Sequence, residues 1–506
     1  MSGLDVRALL VSGGDERIAI DPATGVNPYG HGPQPAPADI AFSSSTASTI
    51  SQAAFAAVEQ FADALARGIR TDGESVVYER ECHRIRSRIL RLVGCPPRSG
   101  IEIVLSPSGT DLHLLATLLY RQPATPLLTL TLEASETGSA VAMAASGSHF
   151  IAYPPSGVEV ARGGQIAAGI SGATFAVRNA DGSLRDERDV EHALDARIAA
   201  AVETGHRCLL VVADMSKTGL IAPGLDTMFR LKARYGARLD IFIDACQLRL
   251  APATIRAYLA HGFAVAITGS KFLGGPSFSG AMLCPAPIAA RFRNRTLPPT
   301  VADYAAAAEL PRGWPARRAL GDRPNLGLLL RWHAALYEWE ALLHVPADRA
   351  TRTAQAVADA VGRRLRDDPG IVQIASRPID RRLLGGGSAV AADCVPTIFP
   401  FALRRSGCDR NGIELLTADE TAQIYRGVAK ASALGPAIRL GQPIACAPSA
   451  TANVSALRLC LSARMIVEAS ASKDGAARLV ADALRALDRV TLASRALSTA
   501  RQSIAA

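Results

Sequence analysis

Lysine is the scarce residue of this 506-residue chain. Of 55 basic side chains only five are lysine (Lys217, Lys232, Lys271, Lys430 and Lys473), set against 46 Asp plus Glu for a formal net charge of +9. An arginine excess of this size beside heavy alanine use reads as compositional bias, and no polybasic block occurs. The charge therefore gives no reason to expect a nucleic-acid or membrane-surface partner. Long apolar runs are lacking too: each is cut by Pro, Gly, Arg or Asp before the ~18–20 residues that a membrane span requires. The opening MSGLDVRALLVSGGDERIAI has acidic residues early and too short an apolar segment for a secretory signal. The nine cysteines form no CxxC pair and no Cys/His cluster at zinc spacing. No structural metal is expected, and an odd thiol count fits a reducing compartment, so the expectation is a soluble cytoplasmic protein.

What is present is globular: 49% hydrophobic and 20% charged residues, with length enough for roughly two to four domains at about 150 residues each. Residues 1 to about 50 are rich in Gly, Pro, Ser and Thr and read as an extended arm over the body. Apolar residues at three-and-four spacing predict helices over about 50–68 and 74–93. Short apolar runs then alternate with helical segments: IEIVL (101–105), LLTLTL (127–132), CLLVVAD (208–214), RLDIFIDA (238–245) and FAVAITGS (263–270). That alternation predicts an α/β fold with a mostly parallel sheet covered on both faces. The polar, Gly-bearing segments fall just after the strands, at the carboxyl edge where open α/β sheets bind ligands. A long helix over about 322–344 leads into a smaller α+β region that ends in an amphipathic helix. The division this suggests is 1–74, an arm with its helix; 75–325, a large domain; and 326–506, a small C-terminal domain.

Lys271 stands at the mouth of a buried strand and before FLGGPSFSGAML, whose small residues leave room for a bulky planar group. A lysine there is partly desolvated, which lowers its pKa and makes its amine a nucleophile for a Schiff base. Asp244 ends the preceding strand, 27 residues earlier, and emerges on the same edge. An Asp in that place commonly caps a helix; it is also placed to pair with a pyridine ring nitrogen and keep the ring electron-withdrawing. Gln247 is placed to hydrogen-bond a phenolic oxygen of such a ring. Ser108-Gly109-Thr110 lies between a strand and a helix, where N-terminal amides and hydroxyls suit a phosphate dianion. Thr268 and Ser270 add two hydroxyls beside Lys271.

Phosphate turn, ring carboxylate and Schiff-base lysine in this order resemble the fold-type-I pyridoxal 5'-phosphate (PLP) enzymes, specifically the class V aminotransferase and cysteine desulfurase-like group. PSGTDLHLLATLL, VVADMSKTGLIAPG, IDACQ, TGSKFLGGPSFSGAML, GDRPNLGLLLRWHAAL and GQPIACAPSATANVSALRLCLS carry the likeness, which spans about residues 75–465. The resemblance implies that Lys271 holds PLP, that Asp244 pairs with N1 and that Gln247 lies toward O3'. It assigns Ser108, Gly109, Thr110, Thr268 and Ser270 to the phosphate, and Ser216 to the strand-end Ser/Asn-x-x-Gly motif of the cofactor site. Arg458 matches the arginine that grips the substrate α-carboxylate, a bidentate task. It implies a homodimer and a small amino-acid-type substrate.

Departures bear on the reaction. Glu136-Thr137-Gly138 stands where the family places a ring-stacking aromatic or His, Ser270 replaces the His before the lysine, and Arg323 replaces the Thr that reaches a neighbouring subunit's phosphate. Cys446 lies roughly where desulfurases carry a persulfide-forming thiol. The arm, with Asn27, Tyr29 and the run Ser43 to Thr46, is expected to cover the site and contact a larger substrate. The leading expectation is Cα deprotonation followed by side-chain elimination or replacement; the alternatives are an aminotransferase, a desulfurase using Cys446, and a non-catalytic binding module.

Overall fold

The computed structural model describes residues 3–385, 391–405, 414–448 and 453–505. Two sheets organise it. The larger has eight strands: β2 (Glu102–Ser106), β3 (Leu127–Leu132), β4 (Ile170–Phe175), β5 (Arg207–Asp214), β6 (Ile221–Ala222), β7 (Leu239–Ala245), β8 (Ala264–Thr268) and β9 (Gly280–Cys284), in the order β2-β9-β8-β7-β5-β3-β4 with β6 appended to β5. The run β8-β7-β5-β3-β4 is parallel, and β9 is antiparallel to both its neighbours. Alternate residues of the central strands enter two separate cores. Leu210, Val212, Ile241, Ile243, Val265 and Ile267 face one side, and Leu209, Val211, Phe242, Ala264 and Ala266 the other. This period of two, with both faces buried, is why these strands read as unbroken apolar runs.

Helices Gln52–Asp72, Glu74–Val93 and Leu326–His344 cover the first face. Ser51 caps the first of them through the Ala54 amide at 3.0 Å, and Gly73, at φ +83°, separates it from the second. Helix Gly109–Tyr120 covers the other face with every side chain from Leu112 to Tyr120 buried, along with its own capping Asp111. Among the described residues no helix is long and apolar enough to cross a membrane.

The smaller sheet has the order β1-β12-β13-β11-β10, from β1 (Ile40–Phe42), β10 (Ile371–Gln373), β11 (Ile398–Leu403), β12 (Ile438–Pro448) and β13 (Asn453–Cys460). Helices Ala347–Asp367, Ala463–Ser470 and Gly475–Ala505 pack on it. The arm does more than lie over the body, because β1 pairs in parallel with β12, Ile40 opposite Ile438. Residues 40–42 are thus a strand of the C-terminal sheet although 300 and more residues of the large sheet and its helices intervene in sequence.

Further back, the arm is tied to helix Leu326–His344. Arg331 on that helix is fully buried, and its guanidinium donates to the carbonyls of Ser12 at 2.5 Å and Leu9 at 3.4 Å. Its Nε donates to the Phe278 carbonyl at 2.7 Å, so one side chain fastens both the arm and the loop after β8. Gly327 permits this approach: a Cβ there would lie 2.4 Å from the Leu9 carbonyl oxygen.

Candidate active site

The carboxyl ends of β2, β3, β5, β7 and β8 meet at one edge, and a cavity of about 290 Å³ opens there. Lys271, Asp244, Gln247, Ser108, Gly109, Thr110, Thr268, Ser270, Ser216, Arg458 and Tyr29 all line it. Asn27 and Arg323 do not. Cys446 lies in β12, but its side chain is outside the described residues. A larger groove of about 1300 Å³ runs between helices Glu187–Glu203 and Leu225–Tyr235, but it is open to solvent and charges along it are engaged in ion pairs, Arg230 with Glu191 and Arg234 with Asp195.

Asp244 ends β7, and its Oδ2 lies 3.0 Å from Nε2 of His113 on helix Gly109–Tyr120. Its Oδ1 accepts the Cys246 amide at 3.1 Å. Burial alone pushes this carboxyl up; His113, followed by Lys271 and the Cys246 side chain, outweighs burial and holds it well below the usual carboxylate range. Among the described residues Lys271 Nζ has no hydrogen-bond partner, while the Lys271 carbonyl accepts from Ser48 of the arm at 3.2 Å. Two of the small residues around Lys271 have a packing role. A Cβ on Gly269 would lie 2.3 Å, and one on Gly275 2.8 Å, from Ala335 Cβ, so these glycines let the loop press against helix Leu326–His344.

The turn at the start of helix Gly109–Tyr120 is a capping box. Ser108 Oγ donates to Asp111 at 2.6 Å and accepts the Asp111 amide at 3.1 Å, so its proton serves the helix. The amides of Gly109 and Thr110 and the Thr110 hydroxyl remain for an anion, since first-turn amides have no intrahelical acceptor. Thr268 donates to the Cys246 carbonyl at 2.6 Å. Ser277 lines the cavity with a buried hydroxyl that has no partner among the described residues. A Cβ on Gly109 would lie 2.8 Å from Cys246 Sγ, so only glycine lets the turn approach the end of β7. An anion cradle over a recessed floor, with an unpaired amine and a buried carboxylate beyond it, suits PLP in shape and charge.

Several of the expected site residues also have protein partners. Ser216 donates to Glu136 at 2.7 Å and accepts the Leu220 amide at 3.1 Å, which closes its own turn. Gln247 donates to the Ser45 carbonyl at 3.0 Å. Asn27 Oδ1 accepts the amides of Tyr29 at 3.0 Å and His31 at 3.2 Å; it shapes the turn that delivers Tyr29 to the cavity. Glu136, at the stacking position, is bound by Arg178 at 2.7 Å and by the hydroxyls of Ser216 and Thr218, both at 2.7 Å. It is a structural anion at the cavity wall, and Cys246, two residues after Asp244, is the buried floor residue.

Arg458 is 2% exposed, and its acceptors are uncharged: the Gln442 carbonyl at 2.8 Å, Thr46 Oγ1 at 2.9 Å and the Lys217 carbonyl at 3.5 Å. Burial holds its pKa below the ordinary arginine value. Thr46 belongs to the arm, so the arm positions the guanidinium.

Sequence reading missed the arm's own cation. Arg17 lines the cavity, with one guanidinium nitrogen 3.4 Å from Thr110 Oγ1. Asp15 clamps it through Nε at 2.9 Å and a second nitrogen at 2.5 Å, and the rings of Phe150 and Phe278 flank it at 5.7 and 5.6 Å. Burial opposes its charge and Asp15 more than restores it. One Arg among 50 in a segment without periodicity gave no signal. His113 was missed because a His inside an apolar helix reads as core; its offset of four residues from Gly109 was the available clue.

No protein-family model and no curated protein sequence matches the chain. Solved structures do match in fold. The Escherichia coli cysteine desulfurase CsdA, in an S-sulfonic acid form, aligns over 88% of this chain and 94% of its own at 16% identity and a TM-score of 0.50. A NifS-like protein aligns over 89% and 99% at 11% identity and 0.51. A mutant of C-DES with glycine covalently linked to the PLP cofactor aligns over 88% and 96% at 14% identity and 0.52. The chain has the fold-type-I PLP-transferase fold, a large mostly parallel sheet followed by a smaller α+β unit.

Proposed function

We propose that this chain, which has the fold of the fold-type-I PLP enzymes, is itself a PLP-dependent enzyme acting on an α-amino-acid-type substrate by Cα deprotonation and side-chain elimination or replacement. The observation that carries this is the unpartnered Lys271 amine sharing one cavity with Asp244, whose carboxylate is kept ionised against its burial. When bound, PLP supplies an electron-withdrawing ring that labilises bonds at the substrate Cα. Asp244, oriented by His113, would hold a proton on the ring nitrogen. The Gly109 and Thr110 amides, the Thr110 hydroxyl and Arg17 hold the phosphate. Arg458 would grip the α-carboxylate, and Lys271 Nζ would anchor the cofactor and carry the Cα proton. The arm excludes water from this edge through Ser45, Thr46 and Ser48.

The test is the visible absorption band of a lysine-bound PLP. It is expected in the purified or reconstituted protein, is removed by borohydride, and is missing in Lys271→Ala. Peptide mapping after reduction is expected to find the pyridoxyl group on Lys271 and not on Lys217, the other lysine of the cavity. A protein that takes up no PLP would overturn the reading. Pyruvate, sulfide or a keto acid released from candidate amino acids separates elimination from transamination. Arg323, half-buried and away from its own cavity, supports the proposal of a homodimer in which it serves the second copy's site; light scattering checks the dimer. The functional units are taken as 1–74, 75–325 and 326–506, with the arm acting on both others.

A further inference from the structure

The charges that line the cavity do not balance. Among its cations Arg17 is paired with Asp15, and among its anions Glu136 is paired with Arg178 and Asp244 with His113. Lys271 is assigned to the cofactor in the reading above. Among the described residues two cations then remain on one wall without a carboxylate partner: Arg458 and Lys217.

Lys217 sits in the turn after β5. Its amide donates to the Glu136 carbonyl at 2.7 Å and its carbonyl accepts from Arg458 at 3.5 Å, so the turn and the guanidinium are fixed against each other. Its Nζ donates to the Ala134 carbonyl at 2.8 Å, which leaves two of its three donors unused. Burial, with repulsion from Arg458 and Lys271, pulls the amine down to about 7 against the attraction of Glu136. The Glu136 carboxylate cannot serve it as a counter-ion, being already saturated by Arg178, Ser216 and Thr218. Two like charges in a recessed cavity are unfavourable until an anion meets each of them.

We propose that Lys217 binds a second acidic group of the substrate, so that the enzyme takes an α-amino acid with an acidic side chain: the α-carboxylate on Arg458, the side-chain acid on Lys217. This rests on the PLP reading above and deepens it. A single carboxylate shared by both cations is the competing arrangement, and a role for Lys217 in holding the cofactor phosphate is another.

The test uses holoprotein and α-methyl amino acids, which have no Cα proton to lose, so that binding is read without turnover from the shift of the visible band. α-Methyl-aspartate and α-methyl-glutamate are titrated beside the corresponding amides, α-methyl-asparagine and α-methyl-glutamine. The acids are expected to bind about ten-fold or more tightly than the amides, the size of one charge-assisted hydrogen bond. Lys217→Met is expected to bring that ratio close to one while leaving the amides' Kd within about two-fold, and Lys217→Arg to keep the preference. A wild-type ratio near one overturns the proposal, as does an equal loss for acid and amide in Lys217→Met, or a loss of PLP affinity in that variant. A protein that shows no band before any amino acid is added fails the PLP reading itself and takes this inference with it.

Discussion

His113 Nε2 lies 3.0 Å from Asp244 Oδ2, while its other ring nitrogen, Nδ1, is buried with no hydrogen-bond partner among the described residues. The helix that opens on the Ser108–Thr110 turn thus also holds the carboxylate at the end of β7, and two ends of the cavity are fixed by one element. His113→Leu removes the group that most lowers the Asp244 pKa. It is expected to cost about 1–3 kcal/mol, the penalty for leaving a buried partner unsatisfied, by denaturant titration near pH 8. The stability contributed by an ionised carboxylate with a depressed folded pKa is present above its unfolded pKa of about 3.9 and is lost as pH falls through the folded value. The gap between wild type and variant is therefore expected to close only on strong acidification. A gap independent of pH would mean that His113 acts by packing.

Arg17 is predicted to recognise phosphate. Apoprotein carrying Arg17→Gln is expected to bind PLP about ten-fold or more weakly, and pyridoxal, which has no phosphate, no more weakly than wild type does. Fluorescence titration with both ligands makes the comparison. Equal weakening for both would reduce Arg17 to a tether of the arm.

The strands of the large sheet were legible because both faces are buried, which writes them as unbroken apolar runs: LLTLTL coincides with β3, and the other central strands begin or end within two residues of those runs. Lys271 and Asp244 were legible for a related reason, since a charged residue that ends a buried strand emerges at the binding edge. The arm was not. Its strand β1 is three residues long, and its register is set by β12, almost 400 positions away. Nothing local in Ile40–Phe42 encodes that partner. Contacts that depend on where long side chains bend, such as Ser216 to Glu136 or Arg17 to Asp15, are equally absent from periodicity and spacing.

Lys217 is expected to titrate near neutrality. Burial disfavours its charged form, so the amine is protonated and unreactive below about 7 and becomes a free nucleophile above it. Competitive acetylation followed by peptide mass spectrometry, from pH 5 to 10, is expected to place the midpoint of Lys217 modification close to 7. An acidic amino acid bound in the cavity is expected to move that midpoint upward, because an anion beside the amine favours its protonated form. A midpoint in the ordinary lysine range would contradict the burial that the turn after β5 imposes.

Phe278 sets two effects against each other. At φ +74° it occupies the left-handed region, which costs an L-residue roughly 1–2 kcal/mol relative to glycine. Its ring, however, belongs to a side chain only 5% exposed, stands 5.6 Å from the Arg17 guanidinium and packs so closely on the arm that a Cβ on Gly14 would lie 2.8 Å from it. Emptying a buried phenylalanine site costs about 3–5 kcal/mol. Burial outweighs backbone strain, so Phe278→Gly is expected to destabilise the protein by about 1–4 kcal/mol net in denaturant titration. The loss falls on the contact between arm and lysine loop, and trypsin is therefore expected to cut after Arg17 faster in the variant than in wild type. A variant more stable than wild type, with Arg17 equally protected, would show that the strain outweighs the packing and that the ring does not hold the arm.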